Sequence, residues 1–152
     1  MRTALITLLV AAAAPVAASA QPAPSGADSP PNHPEEVAWM DEGEQGYVFR
    51  RFPGGQRLYV FDKDPPGKSV CNGGCAAAWP PVPAPKDARN VGPWSIIVRQ
   101  DGTRQWALKG RPVYTRFHDS PAAPAGDGLY GQWRIVPYVS RARVEQAQQQ
   151  GK

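Results

Sequence analysis

Cys71 and Cys75 are the two cysteines of this 152-residue chain, and their spacing suits several kinds of thiol chemistry. The residues between them are Asn-Gly-Gly, and glycine lets a backbone turn sharply enough to bring the two sulfur atoms together. A structural disulfide, a redox-active pair and a metal site are all compatible with this pattern. Redox pairs usually hold their thiols two residues apart at the start of a helix. The spacing of three differs from that arrangement, although copper-delivery proteins use it as well.

Copper is the metal that the thiols could bind, with His118 as a third ligand. Two thiolates and an imidazole are soft ligands that suit Cu(I). The chain has two histidines, His33 and His118, and neither lies in a His-x-His or Met-rich run. We therefore expect no cofactor and a surface position for His118. A copper site on Cys71, Cys75 and His118 is the alternative.

An internal repeat relates residues 55–82 to residues 110–136. In each copy a glycine is followed by an aliphatic residue and a tyrosine, with an aspartate five positions after the tyrosine. A tryptophan then follows at nearly the same distance in both copies. The matching pairs are Tyr59 with Tyr114, Asp64 with Asp119, and Trp79 with Trp133. Each copy is therefore a supersecondary unit that needs the other to bury its apolar face.

Asp64 and Asp119 could act as a general acid and base if their carboxyl groups meet across a cleft. Aspartate also commonly caps the turn after a strand, by accepting hydrogen bonds from backbone N–H groups. A role in folding recurs in every copy of a repeat, whereas a catalytic role need not. The repetition therefore predicts turn caps, with a hydrolase as the alternative, and it predicts core anchors for the repeated tyrosines and tryptophans.

Residues 1–20 have the pattern of a secretory signal peptide, with a basic start, an apolar run and a small-residue end at Ala18-Ser19-Ala20. The pattern predicts cleavage near Ala20 and export to the periplasm or the medium. No cysteine lies at the cleavage point, so we do not expect a lipoprotein, and the apolar run is too short for a transmembrane anchor. An oxidising compartment favours a disulfide between the two cysteines.

The elements that must position these residues are mostly β-strands. Alternating or β-branched patterns predict strands over residues 46–52, 56–61, 94–99, 103–108, 111–117 and 132–139. Pro-Gly-Gly at 53–55 predicts a hairpin between the first two strands, and Asp-Gly at 101–102 predicts another. A proline followed by acidic residues predicts a short helix over Glu35–Asp41 whose Trp39 packs on the sheet. A second short helix is expected near Cys75–Trp79.

These patterns predict a mainly β fold, a small antiparallel domain of about six to eight strands built from two sequence-related halves. The predicted organisation is a signal peptide at 1–20, a Pro/Ala-rich linker with an acidic segment at 21–45, the β domain at 46–139 and a polar tail at 140–152. The formal net charge of +4 does not argue for nucleic acid. We find no nucleophile elbow, phosphate-binding glycine loop, haem-attachment motif or zincin helix, so an enzyme is not expected.

The combined motifs resemble a known bacterial family. They are Tyr59-Val60-Phe61-x-x-Asp64, Cys71-x-x-x-Cys75-Ala76-x-x-Trp79-Pro80-Pro81, Arg99-x-Asp101-Gly102-Thr103-Arg104-Gln105-Trp106, Gly110-Arg111-Pro112-Val113-Tyr114 and Gly126-Asp127-Gly128-x-x-Gly131-x-Trp133. They look like the bacterial secreted repeat of unknown function, often described as predicted lipoproteins with a Tyr-x-aromatic-x-x-Asp motif. The likeness runs from about Tyr47 to Val136. Arg116 departs from the family pattern, since an aromatic is usual there, and the lipid-bearing cysteine is missing.

The resemblance implies a location in the cell envelope and supplies no reaction. We therefore expect a non-enzymatic binding or interaction module, held by a Cys71–Cys75 disulfide, whose partner is an envelope protein or a small ligand. The motif residues expected to have a structural or binding role are Tyr59, Phe61, Asp64, Trp79, Trp106, Tyr114, Asp119 and Trp133. The alternative is a periplasmic copper-binding or thiol-redox protein that uses the two cysteines and His118.

Overall fold

The computed structural model describes residues 32–150, so the predicted signal peptide and most of the linker lie outside the described residues. The strands in this part of the chain are β1 (Val37–Asp41), β2 (Tyr47–Arg51), β3 (Tyr59–Phe61), β4 (Trp94–Val98), β5 (Arg104–Leu108), β6 (Arg111–Pro112) and β7 (Trp133–Ile135). The α-helices are α1 (Gly74–Ala78) and α2 (Arg141–Gln150), and two short 3-10 helices span Gly43–Gln45 and Leu129–Gly131. Three antiparallel sheets form, β1–β2, β3–β7 and β4–β5–β6. The mainly β fold is therefore confirmed, and none of the described helices is long and apolar enough to cross a membrane.

The acidic segment before the first repeat is a strand, and the helix predicted over Glu35–Asp41 is wrong. Strand β1 pairs with β2 along its whole length. Across this pair the ring of Trp39 stacks on Tyr47 with centroids 5.1 Å apart and lies 4.7 Å from the ring of Phe49. These cross-strand aromatic contacts outweigh the weak helix preference of a proline followed by acidic residues.

The turn at residues 53–55 exists, but the hairpin predicted around it is only partly right. The N–H of Arg51 donates to the carbonyl of Gln56 over 2.9 Å, and a single bridge joins Arg50 to Arg57. Beyond that bridge the chains separate, because β2 pairs with β1 and β3 pairs with β7. All three residues of β3 are buried. Its partner β7 comes from the second repeat, so pairing between repeats replaces the local hairpin.

The hairpin predicted at Asp101-Gly102 is confirmed. It joins β4 to β5, which pair from Trp94 opposite Leu108 to Val98 opposite Arg104. The short helix predicted near Cys75–Trp79 is α1, whose last turn is closed by the N–H of Trp79 donating to the carbonyl of Cys75 over 2.8 Å. The polar tail carries α2.

Two clusters of buried side chains fill the interior. The larger cluster takes apolar residues from all three sheets and includes Trp106, which is 2 % exposed. The smaller cluster lies where the two repeats meet and consists of Tyr59, Phe61, Cys71, Trp79, Tyr114 and Trp133. Most of the motif residues therefore lie at the interface between the repeats.

Candidate functional site

The two repeats meet at Tyr59 and Tyr114, whose backbones run antiparallel side by side. The N–H of each tyrosine donates to the carbonyl of the other, over 2.8 and 2.9 Å. The hydroxyl of Tyr59 donates to Oδ2 of Asp119 over 2.5 Å, and the hydroxyl of Tyr114 donates to Oδ2 of Asp64 over 2.6 Å. Each repeat therefore supplies the aspartate that accepts from the tyrosine of the other, as an approximate two-fold axis requires.

Each aspartate also closes its own loop. Oδ1 of Asp64 accepts the N–H of Val70 over 2.8 Å, and Oδ1 of Asp119 accepts the N–H of Ala125 over 2.9 Å. The donor lies at the same distance along the chain in both copies. Both oxygens of each carboxylate are thus engaged within the fold, one by a loop and one by a tyrosine, and the two carboxyl groups bind different partners.

A stack of flat side chains runs through the repeat interface. Trp79 and Trp133 come from different copies, and their rings are 3.8 Å apart and nearly parallel. Phe61 stacks on Trp133 at 4.5 Å, while the guanidinium carbon of Arg116 lies 5.9 Å from the centroid of Trp79. Phe61 and Arg116 occupy matching positions of the repeat. The arginine that replaces the usual aromatic therefore contacts its tryptophan by a cation–π interaction.

A chain of hydrogen bonds links Asp64 to Arg99. Because the hydroxyl of Tyr114 donates to Asp64, it accepts from Oγ of Ser69, which lies 2.7 Å away. Oγ of Ser69 in turn accepts from Nη1 of Arg99 over 2.9 Å. Every donor points the same way, so the chain runs from the arginine cation to the aspartate carboxylate through two hydroxyl groups.

The two charged ends of this chain are held mainly by neutral groups. Arg99 is 5 % exposed, and its guanidinium donates to Oε1 of Gln105 over 2.6 Å and to the carbonyl of Cys71 over 2.5 Å. Burial raises the pKa of Asp64, although the hydrogen bond from Tyr114 acts in the opposite direction. Burial and the hydrogen bond to Asp64 raise the pKa of the Tyr114 hydroxyl, which therefore stays protonated and continues to donate.

Cys71 and Cys75 form a disulfide, with the sulfur atoms 1.99 Å and the Cα atoms 5.2 Å apart. Cys71 is buried at the repeat interface, whereas Cys75 is half-buried in α1. The disulfide bond links α1 to the preceding loop. This loop carries two of the groups to which Arg99 donates, Oγ of Ser69 and the carbonyl of Cys71. His118 is exposed and its ring contacts Phe117. Within residues 32–150 no three His, Cys, Asp or Glu side chains gather as a metal site.

Gly126 takes the place in the second repeat that Cys71 takes in the first, one residue after the amide bound by the aspartate. Its N–H donates to the hydroxyl oxygen of Tyr59 over 3.2 Å. A Cβ atom at this position would lie 2.7 Å from the ring of Tyr59 and 2.8 Å from the ring of Trp79. The second loop is therefore held by close backbone contact with the rings, where the first is held by a disulfide.

An open groove of about 760 Å³ lies between the disulfide loop and the end of β4. We call it the disulfide-loop groove, and it is lined by Gly67, Lys68, Ser69, Val70, Asn72, Val98, Arg99 and Gln100. Ser69 and Arg99 belong both to the groove and to the hydrogen-bonded chain, so the groove adjoins the repeat interface. A smaller cleft of about 300 Å³ is lined by Trp106 and Glu36, and Nε1 of Trp106 donates to the carboxylate of Glu36 over 2.9 Å.

Arg99 and Gln105 belong to one of the motifs shared with the family, but the sequence alone indicates no role for them. The sequence does contain a pattern that indicates the burial of Arg99. Ile97 and Arg99 alternate along one strand pattern, and both are buried, with 6 % and 5 % exposure. An arginine on the buried face of a strand requires internal acceptors, but the sequence does not show that Ser69 and the carbonyl of Cys71 supply them.

Two segments of the chain, residues 53–83 and 95–136, match a family model described as a secreted repeat of unknown function. The first segment contains the disulfide loop, and the second contains most of the β4–β5 hairpin together with the second tyrosine motif. No curated protein and no solved structure matches the chain significantly. The similarity therefore covers the two repeats and their interface.

Proposed function

We propose that this chain, which belongs to the family of secreted repeats of unknown function, is an exported cell-envelope protein. It binds a partner and catalyses no reaction. The signal-peptide pattern of residues 1–20 supports export to the periplasm or the medium, with cleavage near Ala20. The Cys71–Cys75 disulfide suits an oxidising compartment. The partner is an envelope protein or a small ligand.

The engagement of the motif side chains supports a non-enzymatic role. Catalysis by a carboxylate requires an oxygen within hydrogen-bond reach of a substrate. In both Asp64 and Asp119, one carboxylate oxygen accepts a hydrogen bond from a loop N–H and the other accepts one from a tyrosine hydroxyl. A general base placed in this way would have to break the repeat interface before it could act, so we assign these residues to stability.

The disulfide-loop groove is the feature that best supports a binding function. It is the larger of the two concave surfaces, at about 760 Å³, which is in the range of small-molecule sites. Val70 and Val98 expose 44 % and 69 % of their surface there. Exposed aliphatic side chains beside polar groups are typical of recognition surfaces. The buried chain behind the groove fixes the position of its wall.

The alternative function is a periplasmic copper-binding or thiol-redox protein. The half-exposed position of Cys75 favours it, because a reductant or a partner thiol could reach that sulfur. Copper binding would require the disulfide to be reduced and His118 to approach the two thiolates. The binding role requires neither change.

A probe screen by nuclear magnetic resonance tests the binding role. Isotopically labelled protein lacking residues 1–20 is mixed with small probes of varied chemistry, and amide shifts are mapped. We expect shifts that cluster at residues 67–72 and 98–100 and weaken in Val98→Asp, whose side chain is too exposed to disturb the core. Shifts confined to the Trp106 cleft, or probe turnover that depends on Cys75, would overturn the proposal.

A further inference from the structure

The outer edge of β4 is open at one residue beside the disulfide-loop groove. β4 is the terminal strand of its sheet. The N–H of Arg99 donates towards β5, to Thr103, whereas the N–H of Ile96 points away from β5 and donates to Oδ1 of Asn90. Backbone groups alternate in direction along a strand, so the N–H and C=O of Val98 also point outwards. Within residues 32–150 no group pairs with Val98 on that side.

The groove beside this edge has apolar walls. Val98 and Val70 both line it, and 69 % and 44 % of their surface is exposed. An extended peptide places alternate side chains on opposite faces. A peptide strand paired with Val98 would therefore direct one apolar side chain towards the two valines while its neighbours face outwards.

The charges of the groove have one sign. Lys68 and Arg99 line it, and its lining contains no carboxylate. Arg99 is buried and its guanidinium donates to neutral oxygens. The carboxylates that interact with its charge, Asp64 and Asp101, do so without a direct hydrogen bond to it and lie outside the lining of the groove. A cationic groove with low-dielectric walls attracts anionic groups. An acidic side chain is therefore the complementary neighbour for the exposed ammonium group of Lys68.

We propose that the disulfide-loop groove binds an extended acidic peptide segment of a partner protein, which adds a short strand to the outer edge of β4. The backbone of the segment pairs with Val98, and one apolar side chain packs between Val70 and Val98. The carboxylate of an adjacent, outward-facing residue pairs with the exposed ammonium group of Lys68. Strand addition of this kind takes affinity from main-chain hydrogen bonds and specificity from side-chain pockets. The inference rests on the proposed binding function and names the class of partner.

Fluorescence anisotropy of a labelled heptapeptide of alternating glutamate and valine tests the charge requirement, with the protein lacking residues 1–20. We expect saturable binding that weakens about tenfold in Lys68→Glu. The matched control is Lys86→Glu, which changes the net charge equally at an exposed position outside the groove, and it should leave the affinity unchanged. Equal affinity for a heptapeptide of alternating lysine and valine would overturn the proposal.

A second peptide tests the strand pairing. Methylation of the central backbone nitrogens removes the peptide N–H groups, and we expect it to weaken binding about tenfold. An unchanged affinity, or displacement of the peptide by free glutamate at equal concentration, would overturn strand addition. If the unmethylated glutamate–valine peptide does not bind while small probes still change the amide shifts of residues 67–72, the groove remains a binding site and the proposed class of partner is wrong. If the probes also fail, the binding function itself is wrong.

Discussion

Tyr59 and Tyr114 each give their hydroxyl hydrogen to the aspartate of the other repeat, so four side chains depend on one another. The sequence predicted that Asp64 and Asp119 cap turns, and each does accept a loop N–H. The exchange between repeats could not be predicted, because the spacing within one copy reports only local structure. The exchange explains why tyrosine and aspartate recur together in both copies.

Replacing Tyr114 by phenylalanine should lower the free energy of unfolding by about 1–3 kcal/mol, because the half-buried carboxylate of Asp64 loses a donor and the buried hydroxyl of Ser69 loses its acceptor. Urea denaturation followed by tryptophan fluorescence measures the change. Tyr130→Phe is the matched control, since Tyr130 is 79 % exposed, and its effect should stay within about 0.5 kcal/mol. Equal effects of the two variants would show that the cross-repeat bond contributes nothing.

Two carboxylates should change stability with pH in opposite directions. Burial raises the pKa of Asp64 above its usual 3.8, so its contribution to stability is full below pH 3.8 and is lost as the pH rises through the raised value. Burial also acts to raise the pKa of Glu42, but hydrogen bonds from Tyr138 and Arg50 reverse this and lower it below 4.5. Glu42 therefore contributes stability above pH 4.5, which is lost as the pH falls through the lowered value.

Unfolding free energies of the wild type, Asp64→Asn and Glu42→Gln, measured from about pH 3 to about pH 7, test these signs. The advantage of the wild type over Asp64→Asn should shrink as the pH rises. Its advantage over Glu42→Gln should grow over the same range. Parallel curves for all three proteins would contradict the assigned directions.

The loops that follow the two motif strands show how related sequences reach the same position by different means. Cys71 is fixed by a disulfide, whereas Gly126 is fixed by contact with aromatic rings. The sequence predicted the disulfide, the α1 helix and the Asp101-Gly102 hairpin, because each depends on local residue types. It failed for the segment around Trp39 and for the pairing of β3, since both are decided by contacts with distant strands.

Gly126→Ala should lower the free energy of unfolding by about 1–3 kcal/mol, because the new methyl group overlaps the rings of Tyr59 and Trp79. Thermal denaturation followed by circular dichroism measures the shift. Gly74→Ala is the control from the first repeat, where no atom lies within 4 Å of the added Cβ. Helix propensity favours alanine there, so the control should be neutral or slightly more stable. A neutral Gly126→Ala would mean that the loop is not packed as described.

Loss of the disulfide should cost about 2 kcal/mol, since it closes a short loop. Cys71→Ala/Cys75→Ala should remain folded, because the second repeat forms the same unit with no cysteine. Denaturation with and without reductant compares the two proteins, and reductant should affect only the wild type. We expect the double variant to keep its groove binding. A double variant that keeps the stability of the wild type but loses groove binding would contradict the structural role of the disulfide.

The two repeats form one unit around an approximate two-fold axis, with Trp79 and Trp133 stacked between them. The repeat in the sequence predicted two related halves that bury each other. The way in which they interlock required the structure, because strand β3 of one copy pairs with β7 of the other. The disulfide-loop groove could not be predicted either, since its walls come from residues 67–72 and 98–100.

We propose that the motif residues and the disulfide stabilise the fold, and that the protein binds a partner without metal or redox chemistry. A native mass spectrum of protein that is exported by a bacterial host and purified with no chelator or reductant tests this proposal. We predict a chain cleaved near Ala20, a mass two hydrogens short of the dithiol form, and no metal adduct. A copper adduct that disappears in Cys71→Ser would contradict the claim and make the protein a metal carrier.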